Sequence, residues 1–339
     1  MELRSLGRTG LKVSQHCIGA MMFGAWGNPD HDACVGMIHR ALNGGVNFVD
    51  TADMYAQGES EQIVGKALKG RRDDVVLATK FWNTMGEFPN QRGGSKRWVH
   101  QAVEDSLRRL DTDYIDLYQM HRPDTEAELD ETLGALSDLV HQGKVRYLGS
   151  STFPAETIVE AQWVAERRNR ERFVCEQPPY SILNRGIERA VLPTCQRYGM
   201  GVIVWSPLAS GMLTGKYRRG QKAARGSRLN RSFGANPEFD ERMYTAVDAL
   251  DGVAAASGLT LTHLAIAWTV EHPAVTSAII GPKTPEQLDD LLGAADVRLS
   301  SDVLDAIDEI VAPGTDTDPG VAFVPSAAMT PTARRRRAP

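Results

Sequence analysis

A chain of 339 residues with 42% hydrophobic and 24% charged residues has the balance of a soluble globular protein with ample material for a core. Its formal net charge of -5 is mild, so nothing global draws it to nucleic acid or to an anionic membrane. No apolar run approaches the ~18 residues of a bilayer span, and the opening MELRSLGRTGLKVS has no apolar segment of the kind a secretory leader needs. Cys17, Cys34, Cys175 and Cys195 show neither CxxC nor Cys/His spacing. They read as reduced, mostly buried thiols of a cytoplasmic protein, with no zinc or disulfide framework and no metal site.

In chain order, residues 3–14 come first: two short runs separated by GRTG, the pattern of a small hairpin that could plug one end of a barrel. Short β-type runs then alternate with longer amphipathic stretches. The strands are expected at 17–21, 47–50, 75–79, 115–119, 147–150, 173–176, 201–205 and 278–280, and the helices at 31–42, 60–68, 96–110, 126–141, 156–167, 187–197 and 238–256. Eight strands, most of them followed by a helix, are what a parallel (β/α)8 TIM barrel requires. An open doubly wound sheet is the alternative, but it favours a GxGxxG turn after its first strand, where this chain has IGAMMFGAWG. The barrel is therefore preferred, as one domain over 1–311.

Two segments fall outside the repeat. The stretch 209–236 after the seventh strand is long, glycine-rich and basic, a length that in a compact domain points to function or disorder. From 312 to 339 the composition shifts to Pro, Gly, Ala, Asp and Thr and ends in ARRRRAP, which reads as a flexible solvated tail in preference to an acid-binding patch.

In such a barrel the active site is built at the C-terminal ends of the strands. There the chain carries Asp50 with Tyr55 just beyond it, Lys80, His121, Ser150 to Thr152, Glu176 with Gln177, and Trp205 with Ser206. Singly, each has a bland reading: a packing tyrosine, a structural histidine, an aspartate that caps a turn. Together they suit proton delivery. A phenol is a reluctant acid at neutral pH, a nearby ammonium favours its ionised form, and a carboxylate keeps that ammonium charged in a dry site. Such a group can protonate an oxygen that gains negative charge, as when a hydride reaches a carbonyl carbon.

At these residues the chain resembles the aldo-keto reductase family. GVNFVDTADMYAQGESEQIVGKAL, LATKFW and SLRRLDTDYIDLYQMHRPD are similar to its signature segments, and the likeness continues through GKVRYLGSSTF, EQPPYSILNR, VIVWSPLASGMLTGKY and SAIIGPKTPEQLDDLL. The opening LGRTGLKVS resembles the bacterial branches and the related potassium-channel β subunits. The resemblance implies a (β/α)8 barrel that binds NADPH without a Rossmann domain and reduces aldehydes or ketones. It implies Tyr55 as general acid, Lys80 as the group that lowers its pKa, Asp50 as the partner of Lys80, and His121 as the group that orients the carbonyl.

It also implies cofactor contacts. Ser151, Thr152 and Gln177 fall around the nicotinamide carboxamide, Met21 is a further cofactor contact, and Trp205 falls where an aromatic ring stacks on the nicotinamide. Ser206, Leu208, Gly211, Leu213 and Lys216 fall along the pyrophosphate. Gly281, Lys283, Thr284, Gln287 and Asp290 fall at the adenosine end, where a cation and donors suit a 2′-phosphate and favour NADPH over NADH. Two positions depart from the family pattern: Ser151-Thr152 replaces the usual Ser-Asn, and Asp290-Leu291 lacks the usual asparagine.

Met22, Trp26, Met54, Trp82 and Arg122 are the expected substrate-pocket residues, a Trp- and Met-lined cleft suited to aromatic or aliphatic carbonyl compounds. Two other functions stay open at this point. One is an aldolase that uses Lys80 as a Schiff-base nucleophile, which pairing with Asp50 opposes. The other is a cofactor-sensing subunit of a membrane partner, with no docking feature in either terminus to support it. Oligomeric state is not legible.

Overall fold

In the computed structural model, which describes residues 1–217, 219 and 241–317, the first strands stand apart from the main sheet. β1 (Leu3–Ser5) and β2 (Lys12–Ser14) pair antiparallel as the expected hairpin. Eight parallel strands then close into a barrel: β3 (His16–Gly19), β4 (Phe48–Asp50), β5 (Val76–Phe81), β6 (Ile115–Met120), β7 (Val145–Ser151), β8 (Phe173–Gln177), β9 (Gly201–Val204) and β10 (Ser277–Ile280). The seam is the pairing of β10 with β3, where Ala278 lies opposite His16. The fold is the (β/α)8 barrel that the alternation predicts, with a hairpin in front of it.

Side-chain alternation along the strands explains where the barrel is apolar and where it is not. Cys17, Phe48, Val76, Ala78, Leu117, Cys175 and Ile203 form one buried cluster with Leu6 and Val13 of the hairpin region. The hairpin thus supplies apolar side chains that close the N-terminal end of the barrel interior. Because a strand repeats every two residues, the next inward positions are Asp50 after Phe48, Lys80 after Ala78, Gln119 after Leu117 and Gln177 after Cys175. The interior changes from apolar to polar within one such step, at the end where the strands finish.

Helices cover the outside: α1 (His31–Asn43), α2 (Glu59–Leu68), α3 (Lys96–Leu110), α4 (Leu129–His141), α5 (Ala155–Arg168), α6 (Val191–Tyr198), α7 (Glu241–Ala256), α8 (Leu261–Glu271), α9 (Pro285–Gly293) and α10 (Ser301–Ile310). Their starts follow ordinary capping chemistry: Asp30, Ser95, Thr260 and Thr284 each accept a backbone N–H of the first turn. Three helices depart from the sequence expectation. α8 is buried at Leu261, Thr262 and every position from Leu264 to Val270, so no polar face marks its period. α9 and α10 are short and follow the last strand, where no helix was expected.

Other boundaries also move. β3 stops at Gly19, so Met21 lies in the loop beyond it rather than in the strand. The glycine-rich segment begins as a tight 3₁₀ stretch, Ala209–Thr214, and most of its remainder lies outside the described residues. The tail expected from 312 stays fastened at its start. Arg185 donates its backbone N–H to Thr315 O at 2.8 Å, Gly186 donates to Asp316 Oδ1 at 2.7 Å, and Thr317 donates to Leu183 O at 2.8 Å. The arginine run lies outside the described residues. Among the described residues no single helix is long and apolar enough to cross a membrane.

Packing gives opposite signs for two helical glycines. A Cβ on Gly65 of α2 would lie 2.5 Å from the Leu110 carbonyl oxygen, whereas one on Gly252 of α7 would meet nothing within 4 Å. Gly252→Ala is expected to raise stability by about 0.5–1 kcal/mol through helix propensity. Gly65→Ala is expected to lower it by about 1–3 kcal/mol through overpacking. Urea unfolding midpoints of the two variants check both signs.

Candidate active site

Lys80 sits wholly buried at the polar end of the barrel interior, and all of its donors point to neighbours. Its Nζ donates to Asp50 Oδ1 at 2.5 Å, to the Thr51 carbonyl at 2.8 Å, and to the Tyr55 hydroxyl at 3.3 Å. Burial alone would lower the Lys80 pKa, but the Asp50 charge and then Tyr55 outweigh it and the net shift is upward. The ammonium therefore stays charged. Asp50 is satisfied on its other side as well: Oδ2 accepts from Gln177 Nε2 at 2.8 Å and from Gln119 Nε2 at 3.1 Å.

Tyr55 reaches this group because of the loop that follows β4. Thr51 donates its backbone N–H to Ala78 O, and Asp53 donates to Lys80 O at 3.1 Å, which extends the strand pairing past Asp50. The Ser60 hydroxyl donates to Ala20 O at 2.8 Å, so it accepts from Thr51 Oγ1, also at 2.8 Å. Below it, Glu61 accepts from Thr79 Oγ1 and from Arg109 Nε, both at 2.6 Å. The D-T-A and S-E segments are thus the two halves of one tie between strand end and helix start. Asp53 caps locally, its Oδ1 accepting the Met54 N–H at 2.6 Å, while its buried Oδ2 finds no partner among the described residues. Burial, and then the Glu61 charge, push the Asp53 carboxyl well above the usual carboxylate range.

His121 faces Tyr55 edge-on, with ring centroids 5.8 Å apart. Burial and then the Lys80 and Arg122 charges hold its pKa well below the ordinary value, so the ring is neutral at neutral pH. Its Nδ1 lies 2.8 Å from Asn83 Nδ2. Arg122 donates Nη1 to His121 O at 2.7 Å and to Thr152 Oγ1 at 3.0 Å.

A cavity of about 840 Å³ opens above these groups. Tyr55, His121, Asp50 and Gln177 meet it at one end with Ser151, Met21 and Gly19, and Lys80 lies just behind Asp50 and Tyr55. Trp205, Ser206, Leu208, Gly211, Lys216, Gly281, Lys283, Gln287 and Asp290 also line it. Met22, Trp26, Met54 and Arg122 form the wall beside Tyr55, with the Trp26 ring centroid 6.2 Å from that of Tyr55.

Besides Lys80, four expected residues lie off the cavity wall. Leu213 is in the hydrophobic core, and Thr284 caps α9 by accepting the Gln287 N–H. Thr152 holds a left-handed turn with φ 59° and meets Arg122. Trp82 packs against the core with φ 117°, its Nε1 buried without a partner among the described residues. Sequence reasoning missed Gln119, although it sits one strand period before His121. It also missed Asn83, three residues after Lys80, and the cavity-lining Thr262, Ile266 and Ile279. No group of three or more potential metal ligands exists among the described residues.

The profile of the Aldo/keto reductase family matches residues 17–312, and the chain belongs to that family. Among its relatives, a rice protein named as a probable voltage-gated potassium channel subunit beta is 37% identical over 92% of this chain and 97% of its own. The Bacillus subtilis oxidoreductase YrpG is 37% identical over 95% of this chain and 100% of its own. Versiconal hemiacetal acetate reductase of Aspergillus parasiticus is 32% identical over 92% of this chain and 98% of its own.

Glu176, buried on β8 beside this site, accepts from the Ser150 hydroxyl and from the Phe153 N–H at 3.0 Å. Burial outweighs these bonds and the Arg122 charge, and raises its pKa from 4.5 to about 7. The unfolded chain therefore loses this proton first as pH rises. The Glu176 contribution to stability falls between about pH 4.5 and 7 and is flat above. Glu176→Gln is expected to remove this dependence, worth up to about 3 kcal/mol at 1.36 kcal/mol per pKa unit. Urea midpoints at pH 5 and pH 8 measure it.

Proposed function

We propose that the protein is an NADPH-dependent reductase of aldehydes or ketones in which Tyr55 delivers the proton, Lys80 and Asp50 support it, and His121 orients the carbonyl. The observation that carries this reading is the Lys80 Nζ bond to both Asp50 Oδ1 and Tyr55 Oη, at 2.5 Å and 3.3 Å. An ammonium held charged beside a phenol stabilises the negative oxygen left when the proton leaves. A neutral imidazole next to it can donate a hydrogen bond to a carbonyl without competing as an acid.

The residues fit the cofactor by chemistry along the whole cavity. Ser151 and Gln177 offer a hydroxyl and an amide for a carboxamide, and Trp205 offers an aromatic face. Lys216 and Lys283, the latter with Gln287 beside it, supply cations on the cavity wall for phosphate groups. Gln177 already gives Nε2 to Asp50 and Gln119, so its carbonyl oxygen is the atom left for the carboxamide. When bound, NADPH supplies the hydride. Met22, Trp26 and Met54 exclude water from the carbonyl and favour aromatic or aliphatic substrates. The same geometry opposes an aldolase: an amine that must act as nucleophile has to lose a proton, and Asp50 holds the Lys80 proton in place.

Tyr55→Phe is expected to lower carbonyl turnover by at least about 10²-fold with NADPH binding retained. Loss of NADPH absorbance over a panel of aldehydes and ketones, paired with titration of NADPH binding, reads both. Near wild-type turnover in that variant would remove Tyr55 from the role. Lys283→Met is expected to weaken NADPH by about tenfold, the worth of one charged hydrogen bond, and to leave NADH nearly unchanged. Equal losses for the two cofactors would rule out Lys283 as the 2′-phosphate partner.

A further inference from the structure

His121 has two ring nitrogens, and only the one bearing the proton can donate to a carbonyl. The buried ring is neutral, with Lys80 and Arg122 as the cations that face it, so it carries a single N–H. Its backbone is fixed at both ends. The His121 N–H donates to Phe81 O at 3.0 Å, and His121 O accepts from Arg122 Nη1 at 2.7 Å. The remaining contact is Asn83 Nδ2, 2.8 Å from His121 Nδ1. An amide NH2 group can only donate. That makes Nδ1 the acceptor and leaves the proton on Nε2.

Asn83 reaches this place through an unusual piece of chain. Trp82, immediately before it, has φ 117°, a conformation that side chains other than glycine rarely adopt. It is held there by a 2.7 Å bond from the Gly93 N–H to Trp82 O, and the loop closes with a bond from the Met85 N–H to Gln91 O at 3.0 Å. Backbone strain of this kind persists where the surroundings over-determine it. Here its product is an amide aimed at the histidine.

We propose that Asn83 is a positioning residue that sets the Nε2–H tautomer of His121 and thereby turns its donor toward the substrate carbonyl. This rests on the reading of His121 as carbonyl donor. An isosteric carboxylate inverts the contact: in Asn83→Asp the side chain accepts, which draws the His121 proton to Nδ1 or adds a second one. Asn83→Ala removes the preference and leaves a mixture.

The test is long-range proton–nitrogen correlation NMR on enzyme labelled with ¹⁵N-histidine, the His121 signals assigned by their loss in His121→Gln. Wild type is expected to show a bare Nδ1 and a protonated Nε2. Asn83→Asp is expected to show protonated Nδ1, and Asn83→Ala averaged signals, with thermal melting as the control that each variant folds. Carbonyl reduction in both variants is expected to fall about 10–10²-fold in kcat with NADPH affinity unchanged. A wild-type ring protonated on Nδ1, or a ring unchanged in both variants, overturns the proposal. The expected spectra in an enzyme that reduces no carbonyl would uphold the tautomer assignment and overturn the reductase reading instead.

Discussion

A lysine and an aspartate buried side by side in the barrel set the terms for everything around them. Removing one charge of such a pair leaves the other uncompensated, at about 3–5 kcal/mol, so the fold has to bring both to one depth. It does so by register: Asp50 pairs with Ala78 across β4 and β5, which places Lys80 two residues further on and on the same inward face. The pair also needs partners for its remaining valences. Thr51 O takes one ammonium proton, and the amides of Gln119 and Gln177 take the second carboxylate oxygen. The Tyr55 hydroxyl fills the last place, and of the two partners in the loop after β4, Thr51 and Tyr55, only Tyr55 reaches the cavity wall.

The surroundings sort into matched or neutral groups. Glu61 pairs with Arg109 at 2.6 Å beneath the loop. His121 is kept neutral by burial and by its cationic neighbours, and the Asp53 carboxyl is pushed upward by burial and by Glu61. The charges left near the phenol are two fixed cations, the Lys80 ammonium and the Arg122 guanidinium, each held by neighbouring groups. Electrostatic preorganisation of this sort costs nothing at the moment of reaction, since the donors are already in place.

Much of this could be read from the chain because strand and helix periods separate polar from apolar positions. The eight strands were legible within a few residues, since short apolar runs bounded by turns have few other readings. Asp50, Lys80 and His121 stood out as polar residues at strand ends. Gln119 did not, because an amide in an apolar run carries no charge to draw notice, although the period of two places it on the same face as His121. α8 escaped because burial all round removes the contrast on which a helical period depends. Asn83 escaped for a different reason. Its position depends on the left-handed turn at Trp82, and no local rule assigns such a turn to tryptophan. Thr152, another left-handed residue and one expected at the cofactor, meets Arg122. At both positions the backbone conformation decided the outcome, and side-chain type alone does not report it.

The closure of the barrel has a kinetic consequence. Its seam joins the first barrel strand to the last, with Ile18 opposite Ile280. Each of the other strand pairs can form once the next βα unit has been made, but β3 keeps an unpaired edge until residues near 280 have left the ribosome. A contact of such sequence separation forms late and slowly, and an open edge flanked by apolar side chains is exposed to wrong pairing in the meantime. The hairpin shares the delay. Leu6 and Val13 belong to the end of a cylinder that does not exist until the seam closes, so a segment synthesised before every barrel strand is among the last to reach its native surroundings.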